Sequence, residues 1–189
     1  MAAYVDGDLE AFDTLFRALA PRIHGFFVRR FGDPTIADDL LQVTFLKLHR
    51  ARAQYNVGSP VRPWVFTIAA RASLDELRRR GRRPEDADEI RLEKATRAAA
   101  LDRASGPDAV ERADIAAKVR EALDKLPESQ RVVVHLHRYE GMTFGEIGEV
   151  LGSTEGAVKL RAFRAYEQLR RHLTPLMREV MPEAKRNAT

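Results

Sequence analysis

Gly141-Met142-Thr143-Phe144-Gly145-Glu146-Ile147-Gly148-Glu149-Val150-Leu151-Gly152-Ser153-Thr154-Glu155-Gly156-Ala157-Val158-Lys159-Leu160 is the stretch that decides how this chain folds. Thr143 followed three residues later by Glu146 has the spacing of a capping box, in which the hydroxyl accepts from the backbone N–H three residues on and the carboxylate reaches back. A helix therefore starts there. Ile147, Val150 and Leu151 give it one apolar stripe, Gly152 can take the left-handed conformation that ends it, and Ser153 or Thr154 can cap the next helix. Two short helices about a tight Gly-containing turn make a helix-turn-helix.

The second helix places Val158, Ala162, Ala165 and Leu169 in one narrow stripe, the face that packs on the domain. The opposite face carries Gly156, Lys159, Leu160, Phe163, Arg164, Glu167, Arg170 and Arg171. Its cations can reach phosphates or guanine edges, its apolar groups can meet a thymine methyl, and Gly156 allows close approach, which suits a major groove. A solvated helix in a structural corner would also carry such a face. Leu160 and Phe163, apolar and one turn apart, favour a face with a partner.

Working outward, 189 residues allow one medium domain or two small ones. Hydrophobic residues are 44%, charged residues 32% and aromatics 7%, a balance that favours charged amphipathic helices over a β-sandwich, so the expected class is all-α. The formal charge is only +4, a weak argument by itself for a nucleic-acid partner. Cysteine is absent, which excludes disulfide scaffolds, thiolate zinc sites and thiol catalysis. No apolar run approaches the roughly 18 to 20 residues of a membrane span, and the first residues lack the layout of a signal peptide. The expected location is the cytoplasm, without membrane insertion.

Residues 1–83 read as one helical domain broken at Gly32-Asp33-Pro34 and at Asn56-Val57-Gly58-Ser59-Pro60. Residues 84–109 hold few large apolar side chains and read as a flexible linker; 110–173 form a second helical domain, and 174–189 a tail without clear pattern. In the helix from about Thr35 to Arg52, Ile36, Leu40 and Val43 form one apolar stripe and Leu41, Phe45 and Leu48 another. Asp38, Asp39, Gln42 and Leu46 are left on a face that could dock a protein, although Asp38 and Asp39 also simply favour a helix N-terminus. The helix from about Val61 to Arg80 contains Trp64, Phe66, Ile68, Arg71 and Asp75, with Tyr55 in the loop before it. Aromatics beside cations are what unstacked bases require, while a lone Trp also suits a core. Arg78, Arg79, Arg80, Arg82 and Arg83 are either a solvated run or a phosphate-neutralising one.

Catalytic signatures are missing. His24, His49, His135, His137 and His172 show no ligand spacing, and neither a phosphate-cradling loop nor a Ser nucleophile elbow occurs. No metal, cofactor or enzymatic activity is expected.

Gly7-Asp8-Leu9-Glu10-Ala11-Phe12, Asp38-Asp39-Leu40-Leu41-Gln42-Val43-Thr44-Phe45-Leu46, Pro63-Trp64-Val65-Phe66-Thr67-Ile68-Ala69, Leu126-Pro127-Glu128-Ser129-Gln130-Arg131 and Glu140 to Ile147 followed by Gly156-Ala157-Val158-Lys159 occur in that order. Together they resemble the successive signatures of bacterial sigma-70 factors, and the two-domain layout resembles the extracytoplasmic-function group. The resemblance implies a factor that binds core RNA polymerase and directs initiation at promoter DNA, commonly held by an anti-sigma factor. It implies polymerase docking by Asp38, Asp39, Leu40, Gln42, Phe45 and Leu46. It implies minus-ten contacts for Ala51, Tyr55, Trp64, Arg71, Asp75, Arg78 and Arg79, and minus-thirty-five contacts for Glu155, Gly156, Lys159, Leu160, Phe163 and Arg164. Arg71 stands where the family commonly has Asn, and Leu160 where it commonly has a small polar residue, so base contacts are not carried over to those two. A stand-alone helix-turn-helix regulator acting on duplex DNA without polymerase is the rival reading.

Overall fold

A computed structural model of the chain describes the backbone of residues 1–81 and 107–180, and the side-chain surroundings of 1–81 and 114–176. Among the described residues there are eight α-helices and no strand, as the composition leads one to expect. In the N-terminal half, α1 spans Ala2–Val5, α2 Leu9–Phe31, α3 Pro34–Ala51 and α4 Val61–Gly81, with a 3-10 turn at Arg52–Gln54.

The boundaries follow from local chemistry. Asp8 caps α2 by accepting from the Glu10 and Ala11 N–H groups at 2.8 and 3.1 Å. Gly32 ends the helix in the left-handed region at φ 71°. Asp33 then accepts from the Thr35 N–H, and Pro34 opens α3 at a position whose N–H would be unpaired anyway. The three long helices enclose Ile23, Phe26, Phe27, Leu48, Val65, Phe66 and Ala69. Burial of each large apolar side chain in this set contributes about 1.5 to 3 kcal/mol. Tyr4 of α1 closes one end, its hydroxyl 2.6 Å from His49 Nδ1, and its burial pushes the phenol pKa up.

In the C-terminal half, α5 is Pro107–Asp124, α6 Glu128–Arg138, α7 Phe144–Leu151 and α8 Glu155–Val180. The expected linker lies outside the described residues except for 107–109, which form the first turn of α5. One reading of the sequence changes. The final helix continues through Pro175 to Val180, where a patternless tail was expected from Thr174, and Leu176 is buried. Pro175 brings no N–H to the ladder, and the neighbouring Thr174 hydroxyl donates to the Arg170 carbonyl at 2.6 Å. Residues 181–189 lie outside the described set.

Val132, Val133 and Val134 are consecutive and all buried, so α6 is covered on more than one side. Val134 packs with Leu126 and Ala165 inside the C-terminal half. Val132, Val133 and Leu136 instead join Met142, Ile147, Val150, Val158 and Ala162 in one continuous apolar cluster with Phe26, Val65, Phe66 and Ala69. The two halves are therefore packed on each other. Helix α4 lies against α7, and α2 reaches α6 through long arginine side chains. A cavity of about 380 Å³ remains between α2, α5 and α6, lined among others by Phe26, Val28, Val119, Leu123, Val132 and Tyr139.

Candidate nucleic-acid interface

The helix-turn-helix forms as its capping box dictates. The Thr143 N–H donates to Glu146 Oε2 at 2.8 Å, and the Glu146 N–H donates back to Thr143 Oγ1 at 3.2 Å. Gly152 turns the chain at φ 59°, and Thr154 Oγ1 caps α8 by accepting from the Ala157 N–H at 3.2 Å. The turn is tight because Gly148 has no side chain: a Cβ there would sit 2.7 Å from the Ser153 carbonyl oxygen.

This turn fixes the orientation of α8. Val158, Ala162 and Ala165 are buried, and Leu169 packs partly against the domain. Glu155, Gly156, Lys159, Leu160, Phe163 and Arg164 are all exposed on the other side. Phe163 is 64% exposed and Leu160 48%, large apolar groups held in water by a rigid helix. Lys159 Nζ lies 2.7 Å from Glu155 Oε1, so the acidic residue positions the lysine. Tyr166 was missed in the sequence; it lies three positions beyond Phe163 on the same exposed face, a spacing that could have disclosed it.

On α3, Asp38, Asp39, Gln42 and Leu46 are exposed and share a face, with Leu46 59% exposed. His24 of α2 approaches Asp38 at 3.2 Å. Leu40 and Phe45, expected on the docking face, are instead only 7% and 6% exposed and lie in the core, where their stripes had placed them. Phe16 of α2 packs on Phe45 with ring centroids 4.7 Å apart and, with Val43, adds exposed apolar surface that the sequence reading had not assigned to this face.

Tyr55 is also corrected. Its ring is 7% exposed and meets Trp64 edge-on at 5.1 Å, and its hydroxyl donates to the Ser59 carbonyl. It props Trp64 rather than presenting a free stacking face. Trp64 and Ala51 are half-buried, and Arg71 is exposed. Asp75 is held by Lys47 of α3 at 3.3 Å and lies 3.6 Å from Arg78, so it ties α3 to α4. Arg79 forks onto Glu76 at 2.7 and 2.8 Å; its hydrogen bonds lead the effects that hold the Glu76 carboxyl below its usual pKa, although partial burial opposes them. Arg82 and Arg83 lie outside the described residues. No group of three or more His, Asp or Glu able to hold a metal ion occurs among the described residues.

A helix-turn-helix with an exposed cationic and apolar recognition face, packed on a second helical half, defines a DNA-binding transcription protein. Residues 15–83 match the sequence model of Sigma-70 region 2, and residues 116–169 match that of Sigma-70, region 4. The chain belongs to the sigma-70 family, in its extracytoplasmic-function group. It is 40% identical over 180 residues to the RNA polymerase sigma factor CarQ of Myxococcus xanthus, covering 95% of this chain and 99% of that protein. It is 34% identical over 177 residues to the RNA polymerase sigma-H factor of Pseudomonas aeruginosa, covering 92% and 91%. Among solved structures, CnrH in complex with the cytosolic domain of CnrY aligns with a TM-score of 0.65 and 26% identity over 92% of this chain and 94% of that one. The sigma factor RpoE bound to the anti-sigma factor NepR from Bartonella quintana shares the fold at a TM-score of 0.67 and 21% identity, over 87% and 98% of the two chains. The chain is a promoter-directing RNA polymerase sigma factor.

Proposed function

We propose that this sigma factor reads its promoter at two points. The exposed face of α8, with Lys159, Leu160, Phe163 and Arg164, enters the major groove of the minus-thirty-five duplex. Helix α4, with Trp64 propped by Tyr55, captures bases that unstack at the minus-ten element, offsetting part of the cost of melting. Asp38, Asp39, Gln42 and Leu46 of α3 dock on core polymerase, which performs the chemistry of RNA synthesis, so the chain acts in the cytoplasm as an initiation factor and not as an enzyme. Like the relatives whose solved structures hold an anti-sigma factor, it is restrained by such a partner. The observation that carries this reading is the pair Leu160 and Phe163, held in water on a helix whose other face is packed.

The test is in-vitro transcription with bacterial core polymerase on a pool of genomic upstream fragments, with and without the protein, followed by sequencing of RNA starts. New starts sharing two spaced elements are expected. Duplex binding by the protein alone, with no new starts, would replace this reading by that of a stand-alone regulator.

A further inference from the structure

None of the residues assigned to promoter or polymerase lines the cavity between α2, α5 and α6. Its volume of about 380 Å³ falls within the roughly 300 to 1,000 Å³ of small-molecule sites, and all three helices give it apolar walls: Phe26 from α2, Val119 and Leu123 from α5, Val132 from α6. Four arginines, Arg29, Arg30, Arg120 and Arg131, line it against two carboxylates, Asp124 and Glu128. Both carboxylates are taken. Arg131 reaches Asp124 at 2.9 Å and Glu128 at 2.6 Å, and the buried Arg30 lies 2.8 Å from Glu128.

Arg29, on the face of α2 that also carries Arg22 and Arg30, differs from them: among the described residues no carboxylate lies within ion-pair distance of it. Its Nε donates to His135 Nδ1 at 3.4 Å, and the Tyr139 ring covers one side of the guanidinium at 4.5 Å. Tyr139 in turn stacks on His135 with ring centroids 5.1 Å apart. Gly25 leaves room beside the terminal nitrogens, where a Cβ would come within 3.0 Å of Nη2. The guanidinium is thus held in place, while its terminal nitrogens donate to nothing among the described residues. Burial pushes its pKa down, against the fields of Tyr139 and Glu140, the mark of a cation that has lost water without gaining a counter-ion.

We propose that this cavity binds a small organic anion, a carboxylate on a short aliphatic body, with the carboxylate on Arg29 and the body among Val119, Leu123 and Val132. A carboxylate matches the guanidinium fork with two parallel hydrogen bonds, and the aliphatic body gains from each methylene it takes out of water. Because three helices supply the walls, the anion binds only the folded chain and raises its melting temperature by mass action.

Octanoate is the probe, titrated calorimetrically into the full-length protein, with octanol and octylammonium as molecules that keep the chain and change the head. One octanoate bound per protein is expected, with a rise in melting temperature, weaker binding of octanol and none of octylammonium. Arg29→Gln should weaken octanoate about tenfold and leave octanol unchanged, while Arg17→Gln, an exposed cation of the same helix outside the cavity, changes neither. Val119→Phe fills the cavity and should abolish binding of both. Arg29 is exposed, so Arg29→Gln answers the question even where Val119→Phe fails to fold. Octanol binding as tightly as octanoate makes this a site for neutral apolar molecules and overturns the anion. Equal affinity for octylammonium, or an octanoate affinity that Arg29→Gln leaves unchanged or Arg17→Gln lowers as much, overturns it too. So does the absence of both heat and thermal shift at millimolar octanoate.

Discussion

Gly148 shows how narrowly one position can be set. A methyl group placed there meets the Ser153 carbonyl oxygen at 2.7 Å, a backbone atom that cannot rotate away. Gly148→Ala is expected to cost about 1 to 3 kcal/mol of stability, read as a lower urea midpoint with an unchanged slope. Leu40 and Phe45 teach a different lesson. Their apolar stripes announced burial, whereas family resemblance assigned them to docking, and the packing sides with the stripes. Leu40→Ala or Phe45→Ala should destabilise the protein by about 2 to 5 kcal/mol. Leu46→Ala should leave the melting temperature alone and weaken association with core polymerase in a pull-down or titration. On the recognition face, Leu160→Ala and Phe163→Ala should each weaken binding of the minus-thirty-five duplex, measured by competition between duplexes, with the fold intact.

The helices themselves were legible wherever capping chemistry marked their ends. Asp8, Asp33 and Thr143 each begin a helix, and Gly32 and Gly152 each end one, because these short-range bonds are written in neighbouring residues. Pro175 misled for the same reason. Read locally it stops a helix, but burial of Leu176 carries α8 beyond it. The loop before α4 was half legible: aromatic content disclosed Tyr55 and Trp64, but only their edge-on contact shows that one supports the other. Tyr55→Leu is therefore expected to slow promoter opening, followed by permanganate reactivity of unpaired thymines, while binding of the minus-thirty-five duplex stays unchanged. Thr143→Ala should cost about 1 kcal/mol by removing the cap that starts α7.

How the two halves meet was not legible, because the contacting residues are far apart in sequence and follow no period. Arg22 and Glu140 are separated by 118 positions, Arg29 and His135 by 106. The one local trace is Val132-Val133-Val134, more apolar circumference than a single neighbouring helix covers. The contact is also sensitive to pH. Burial pushes the His135 imidazole below its usual pKa, against the opposing hydrogen bond with Glu140; Arg29 and Arg30 face it from α2, and Tyr139 stacks on it from its own segment. Burial alone would raise the Glu140 pKa, but hydrogen bonds from His135 and Arg22, together with their charges, hold it below the usual value. A depressed histidine pKa means that the packed form prefers the neutral ring, so the stability this contact contributes is full above about pH 6.5 and weakens as pH falls below it. Glu140 adds a second loss only below its usual 4.5. The urea midpoint should therefore begin to fall near pH 6.5, and His135→Gln should move that onset down into the carboxylate range. The same separation of 118 positions has a consequence during synthesis. At about 5 to 20 residues per second, Glu140 follows Arg22 out of the ribosomal active site by roughly 6 to 24 s. For that interval α2 and α3 can fold with the arginine face bare. The arginines of α2 thus wait in water for partners that do not yet exist, and the pace of translation sets how long they wait.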